Sequence, residues 1–204
     1  MNYSKRLHRY RAYLRHKSKT VTHSFSTINT SQPKVSFREV RTFQSEIDSF
    51  SRFILDYPNI ETGGQLFGYW TREGVPVVCY VLGPGPNANH QVTFFNQDLN
   101  YLQTVGGAIV KNYTLEHIGE WHSHHPLGLA EPSGHDAANI SNNMIKAGRE
   151  RFLLCIGNCD GHNATINAFA FHSASPSYTK VPWVVSPVAS PYRAAIEKSM
   201  RAFL

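Results

Sequence analysis

The sequence predicts a single mixed α/β domain, with a mixed sheet of about five or six strands and helices interspersed among them. Three observations lead there. Short runs rich in β-branched and aromatic residues alternate with longer amphipathic stretches of helical period across residues 36–172. The chain has 204 residues, which is room for one domain of ordinary size with appendages. Its hydrophobic share of 41% suits a globular core, and no apolar run approaches the roughly 18 residues that would span a bilayer.

Residues 1–35 read as a basic arm and linker. Leu7, Tyr10 and Leu14 share one helical face there, and a Ser/Thr/Asn/Gln stretch follows. Ser45 is expected to cap a helix that runs to about Tyr57, with Ile47, Phe50, Ile54 and Tyr57 inward and Pro58 as its stop. Gln65 to Trp70 and Val77 to Leu82 read as strands around a Thr-Arg-Glu-Gly turn. After a Pro/Gly-rich loop, a short strand is expected near Val92 to Phe95. A helix follows from about Asp98 to Asn112, weakened by Gly106 and Gly107. His117 to His122 is the next strand. Ser133 opens a helix with Ala137, Ile140, Met144 and Ala147 on its apolar side, which Gly148 ends. Phe152 to Ile156 and Ala164 to Phe171 are strands joined by a polar turn. Residues 173–191 read as a Ser/Pro-rich connection to a C-terminal helix, which together fill 173–204.

The net charge of +6 is unevenly placed. Seven of the 20 basic residues fall within the first 19 positions, where no acid occurs, so the remaining 13 face 14 acids. Any electrostatic partner is therefore expected at the arm. Three cysteines without framework spacing, and no apolar segment after the basic N-terminus, give a cytoplasmic expectation.

The chemistry concentrates in the run Glu-Trp-His-Ser-His-His-Pro-Leu-Gly-Leu-Ala-Glu-Pro-Ser-Gly-His-Asp, residues 120–136. His122 and His124 alternate on an extended strand and so project to one side. Ser133 suits an N-cap, and Asp136 favours the positive end of the same helix. A helix start facing the strand end brings Asp136 to both imidazoles. Two histidines and one carboxylate give three ligands and leave a tetrahedral zinc one open position, the arrangement of a catalytic metal. His125 is a rival ligand expected on the opposite face, and His135 is expected in a loop. Glu120 is expected to face away from the metal and Trp121 to lie in the core. Other zinc enzymes fit poorly, because the His-Glu-x-x-His helix and the deaminase His-x-Glu and Pro-Cys-x-x-Cys elements are absent from the sequence.

Glu61, His122-Ser123-His124 and Ser133-Gly134-His135-Asp136 together resemble the signature of JAMM metalloproteases, also called the JAB or MPN class. The run from Glu61 through Thr-Gly-Gly-Gln-Leu-Phe-Gly resembles the family's opening motif, and Gly119-Glu120-Trp121 resembles its bacterial members. The similarity covers approximately residues 40–172. One departure is a loop of eight residues, 125–132, where the family usually has seven; loops absorb such insertions without moving their anchors.

The resemblance implies a JAB/MPN-like domain over residues 36–172 that holds one zinc per chain through His122, His124 and Asp136. It implies that Glu61 is the general base for a metal-activated water and that Ser133 donates to the oxyanion. It also implies an isopeptidase or peptidase acting on ubiquitin-like modifiers and their conjugates, with other conjugation-pathway proteins held by the basic arm. The segment 89–97 and the loop 125–132 would frame a groove for the modifier's tail. The alternatives are a catalytically idle scaffold of the same fold and, from another class, a nucleic-acid-associated protein acting through the arm, where no nucleic-acid motif is present.

Overall fold

A computed structural model describes residues 38–124, 128–175 and 177–201. The expectations for the arm, for His125 and for the end of the C-terminal helix lie outside these described residues. The elements run β1 (Val40–Phe43), α1 (Gln44–Leu55), β2 (Gly63–Trp70), β3 (Pro76–Leu82), β4 (Asn89–Gln91) and β5 (Phe94–Asn96). Then follow α2 (Leu99–Tyr101), a π-helical segment (Leu102–Gly106), α3 (Gly107–Tyr113), β6 (Glu116–Ser123) and α4 (Gly134–Ala147). The last are β7 (Arg151–Cys159), β8 (Ala164–His172), β9 (Thr179–Val181), β10 (Trp183–Ser186) and α5 (Arg193–Met200).

The fold is the mixed α/β domain expected, but the main sheet has eight strands, in the order β10-β1-β3-β2-β6-β7-β8-β9, and β4 and β5 form a separate hairpin. The additional strands come from segments that carry weak signals. The Ser/Pro-rich stretch contributes β9 and β10, each of three or four residues, too short for a periodic pattern. Val92 and Thr93, expected inside a strand, form the turn of the β4–β5 hairpin instead. Only Pro182 separates β9 from β10, yet Val181 pairs with Ala168 and Trp183 with Val40 at the far end of the ladder. The sheet therefore curls until its two ends meet, and the Trp183 indole donates to the Ile166 carbonyl at 3.0 Å across the seam.

Inside the curl lies α1. Phe50 and Ile54 are fully buried among Leu66, Val78, Val81, Leu153, Cys155 and Ala168. Trp121 joins them, edge-on to Phe50 and stacked on Phe53, with its indole N–H donated to the Leu82 carbonyl at 3.1 Å. Each such side chain contributes about 1.5–3 kcal/mol by leaving water. Trp121 is core, as the sequence predicts. The start of α1 differs from expectation: Phe43 is the N-cap residue and offers no side-chain bond, while the Ser45 hydroxyl accepts from the Ser190 amide. Glu46, fully buried one residue on, accepts from the Val81 amide and from the Arg193 guanidinium of α5. The N-terminus of α1 is thus fixed by tertiary partners, which a local capping rule cannot read.

On the other face two clusters form. The π segment, α3 and α5 cover Phe67, Tyr80 and Leu82, and α4 covers Leu154, Ile156, Phe169 and Phe171 through Ile140 and Met144. The helix expected from about Asp98 begins with Asp98 as its cap, receiving the Asn100 and Tyr101 amides. The helix expected as one piece widens into π geometry over Leu102–Gly106, ending in the glycine pair, where backbone freedom makes the wider turn inexpensive. Gly148, at φ 60°, ends α4 in the left-handed conformation, as its sequence position predicts.

Candidate metal centre

The centre forms where the end of β6 meets the first turn of α4. β6 runs between β2, antiparallel to it, and β7, parallel to it, with His122 opposite Gly63 on one side and Ile156 on the other. Just beyond the strand, the His124 amide still bonds to the Gly157 carbonyl at 2.9 Å, so the extended path persists through both histidines. Their Nε2 atoms come within 2.9 Å of each other. Asp136 reaches them from the helix, at 3.5 Å from His122 and 3.3 Å from His124. His122, His124 and Asp136 therefore converge as a three-ligand set.

The spacing suits a metal. Ligand arms of about 2.0–2.1 Å at tetrahedral angles place ligand atoms about 3.3 Å apart, close to all three separations seen. Two imidazole nitrogens and a carboxylate are also the borderline donor set that zinc accepts. Asp136 is held for the task by Ser133, whose amide and hydroxyl both donate to Oδ2, at 2.8 and 2.6 Å. The Asp136 amide in turn donates to the Ser133 hydroxyl, completing a reciprocal capping box. Oδ2 is thereby occupied, and Oδ1 is the oxygen left toward His122.

Electrostatics follow from this crowding. Burial would raise the Asp136 carboxyl, but hydrogen bonds from His122, His124 and Ser133 hold it well below the usual carboxylate range. Burial opposes protonation of His124, and Asp136 together with the Glu61 charge outweighs it and raises the ring's pKa. Glu61 moves upward. Its burial is the main cause, opposed by the two histidines and reinforced by Asp136, which places its carboxyl within the field of all three ligands.

Glu61 sits between α1 and β2, only 9% exposed. Its segment is tied to the ligand strand by a reciprocal pair: the Thr62 amide donates to the Ser123 hydroxyl at 3.0 Å, and the Ser123 amide donates to the Thr62 carbonyl at 2.8 Å. The two glycines that follow are needed for close approach. A Cβ on Gly64 would lie 1.9 Å from the Leu82 carbonyl, and one on Gly63 would meet the Trp121 carbonyl at 2.6 Å and the Phe95 ring at 2.7 Å.

The five residues singled out in the sequence thus lie at one place: three converging side chains that could hold a metal, Ser133 on Asp136, and Glu61 in their field. His135 lies on α4 rather than in a loop, exposed and hydrogen-bonded to Asn139. Glu120 corrects the reading of its direction. It stands two residues before His122, so strand alternation puts both on one face, and it lines a crevice beneath α4 with His117, Met144 and Arg149. Sequence reasoning missed the partners of the Glu61 backbone, Gln91 and His90, because hairpin pairing to a loop leaves no periodic signal. The described part of the long loop is pinned by Asn158 and Asn167, which donate to the Leu129 and Ala130 carbonyls at 3.0 and 3.1 Å.

Known proteins share this architecture. The solution structure of protein DSY2949 from Desulfitobacterium hafniense superposes with a TM-score of 0.54 at 15% identity, covering 74% of this chain and 94% of that one, a likeness of fold. The sequence of "Probable metalloprotease y4qB" from Sinorhizobium fredii is 26% identical over 98 residues, 46% of this chain and 58% of that protein. This chain therefore matches less than two thirds of that relative's length. The family model described as prokaryotic homologs of the JAB domain matches residues 44–172, and the chain belongs to that family.

Proposed function

We propose that this chain is a zinc-dependent isopeptidase or peptidase that releases a ubiquitin-like modifier from a lysine side chain or trims the modifier's precursor. The observation that carries this reading is the convergence of His122, His124 and Asp136 with a buried acid, Glu61, in their field. Membership in the JAB-domain family and the likeness to a described metalloprotease support hydrolysis of an amide bond.

One zinc held by His122, His124 and Asp136 would supply Lewis acidity, bringing the pKa of water from about 15.7 toward about 7 and polarising the scissile carbonyl. The residues do the rest. Glu61 accepts the proton of the attacking water; its raised pKa makes it a better acceptor than an exposed carboxylate, and it then returns that proton to the leaving nitrogen as the C–N bond breaks. Ser133 turns its hydroxyl from Asp136 to the carbonyl oxygen as charge develops there. The Ser133 amide keeps its bond to Oδ2 during that turn, so Asp136 retains its orientation. The basic arm, residues 1–35, is proposed to hold acidic conjugation-pathway proteins rather than to contribute to the chemistry.

The test is Glu61→Gln, assayed on a fusion of a ubiquitin-like protein with and without chelator, alongside zinc content by mass spectrometry. We expect zinc to stay near one per chain while kcat falls about 10²–10⁴-fold. Wild-type hydrolysis by the variant would overturn the assignment of the base. Zinc-free wild-type protein without chelator-sensitive hydrolysis would favour the idle scaffold.

A further inference from the structure

Both backbone groups of Glu61 are taken up by β4. The Glu61 amide donates to the Gln91 carbonyl at 2.8 Å, and the Glu61 carbonyl lies 3.0 Å from Nδ1 of His90. A carbonyl can only accept, so Nδ1 of His90 carries the hydrogen of that bond. The ring itself is held from two directions. Tyr57, just past the end of α1, stacks on it at a centroid distance of 4.0 Å and an angle of 10°, and Phe95 of β5 packs against it at 5.4 Å. The Phe95 ring in turn fills the space beside Gly63, next to His122 in the ladder.

We propose that His90 is a positioning residue for the general base: its Nδ1–H, aimed by the rings of Tyr57 and Phe95, fixes the Glu61 carbonyl and so sets the direction from which the Glu61 carboxylate meets the metal centre. This rests on the hydrolase reading given above. The physical reason is geometric. Glu61 sits in no helix and belongs to no strand of the main sheet, so its φ and ψ depend on these two hydrogen bonds and on the Thr62–Ser123 pair rather than on a ladder or helical repeat. The Gln91 carbonyl fixes the peptide by which Glu61 leaves α1, and His90 and Ser123 hold the two ends, carbonyl and amide, of the Glu61–Thr62 peptide that enters β2. A carboxylate displaced by about 1 Å from a proton in flight loses on the order of 10²-fold in rate.

Two variants separate the ring's N–H from its packing. His90→Phe keeps an aromatic face against Tyr57 and removes the donor. His90→Asn loses the stack and places an amide N–H close to where Nδ1 stood. On the zinc-loaded full chain acting on a fusion of a ubiquitin-like protein to a fluorescent peptide, we expect His90→Phe to lower kcat about tenfold with KM and zinc content unchanged. His90→Asn should stay within about threefold of wild type. A second readout needs no substrate: amide exchange at Glu61 should quicken about tenfold in His90→Phe and remain near wild type in His90→Asn, while the Val81 amide is unaffected in both. Unchanged kcat and exchange in His90→Phe would overturn the proposal, as would an equal loss in both variants. If Glu61→Gln hydrolyses like wild type, the assignment of the base fails instead, and the exchange data still decide whether His90 orders the Glu61 backbone.

Discussion

The two sides of the centre are built differently. On one side, His122, His124 and Asp136 stand at the end of β6 and in the first turn of α4, where ladder bonds and a capping box set each backbone position. On the other, Glu61 stands between elements, held by a three-residue hairpin strand and one pair of bonds to Ser123. The contrast matches the two tasks proposed for these residues. Ligands must keep fixed separations of about 3 Å whether or not substrate is present. A base must collect a proton at one point and deliver it at another, and a side chain on an irregular segment can make that short excursion.

The difference can be broken or sharpened by substitution. The largest effect is expected on the ligand side: Asp136→Ala should remove stoichiometric zinc and hydrolysis together, whereas Glu61→Gln removes hydrolysis alone. A variant of Asp136 that keeps full zinc would erase the distinction between the two sides. Ser133→Ala is intermediate. It removes a helix cap worth about 1 kcal/mol, seen as a lower thermal midpoint, and frees the Asp136 carboxylate. Zinc affinity should fall about 10–100-fold, as when other supports of a ligand are lost. An unchanged affinity would mean that the Ser133 amide orients Asp136 unaided.

The smallest effect is expected at the base of the loop that carries the hairpin. Asp98 accepts the amides of Asn100 and Tyr101 on one oxygen, and the amide and side chain of Asn87 on the other. Burial pushes its carboxyl up, but these donors outweigh that and hold it below its ordinary value. A lowered folded pKa contributes stability that is present above the unfolded value of about 3.9 and is lost as pH falls through the folded one. Asp98→Ala, which removes the cap and its charge, should therefore cost about 1 kcal/mol at neutral pH and flatten the acid limb of the stability curve. An unaltered acid limb would show that Asp98 does not anchor the loop.

Much of the ligand side was legible because each residue there obeys a local rule. His122 and His124 follow from strand alternation, Ser133 and Asp136 from capping chemistry, and Gly148 from the need for a positive φ. The same alternation, counted one residue short, misplaced Glu120. The base side was legible only through family resemblance, since nothing near Glu61 distinguishes it from Glu120 or Glu131 by pattern. His90 was not legible at all: its role depends on Tyr57 and Phe95, 33 residues upstream and five downstream, arriving at one ring. Ser45, β9 and β10 share that cause, because their partners are set by the tertiary fold.

The proline seam has a consequence for the protein's behaviour at high concentration. A sheet that stops in open solvent offers unpaired amides and carbonyls to a second chain, and long flat rims template fibrils. Here the terminal strands are three and four residues long and flank a single proline, which has no amide hydrogen to offer. The molecule thereby limits backbone pairing with its own copies at the place where an eight-stranded ladder would otherwise invite it.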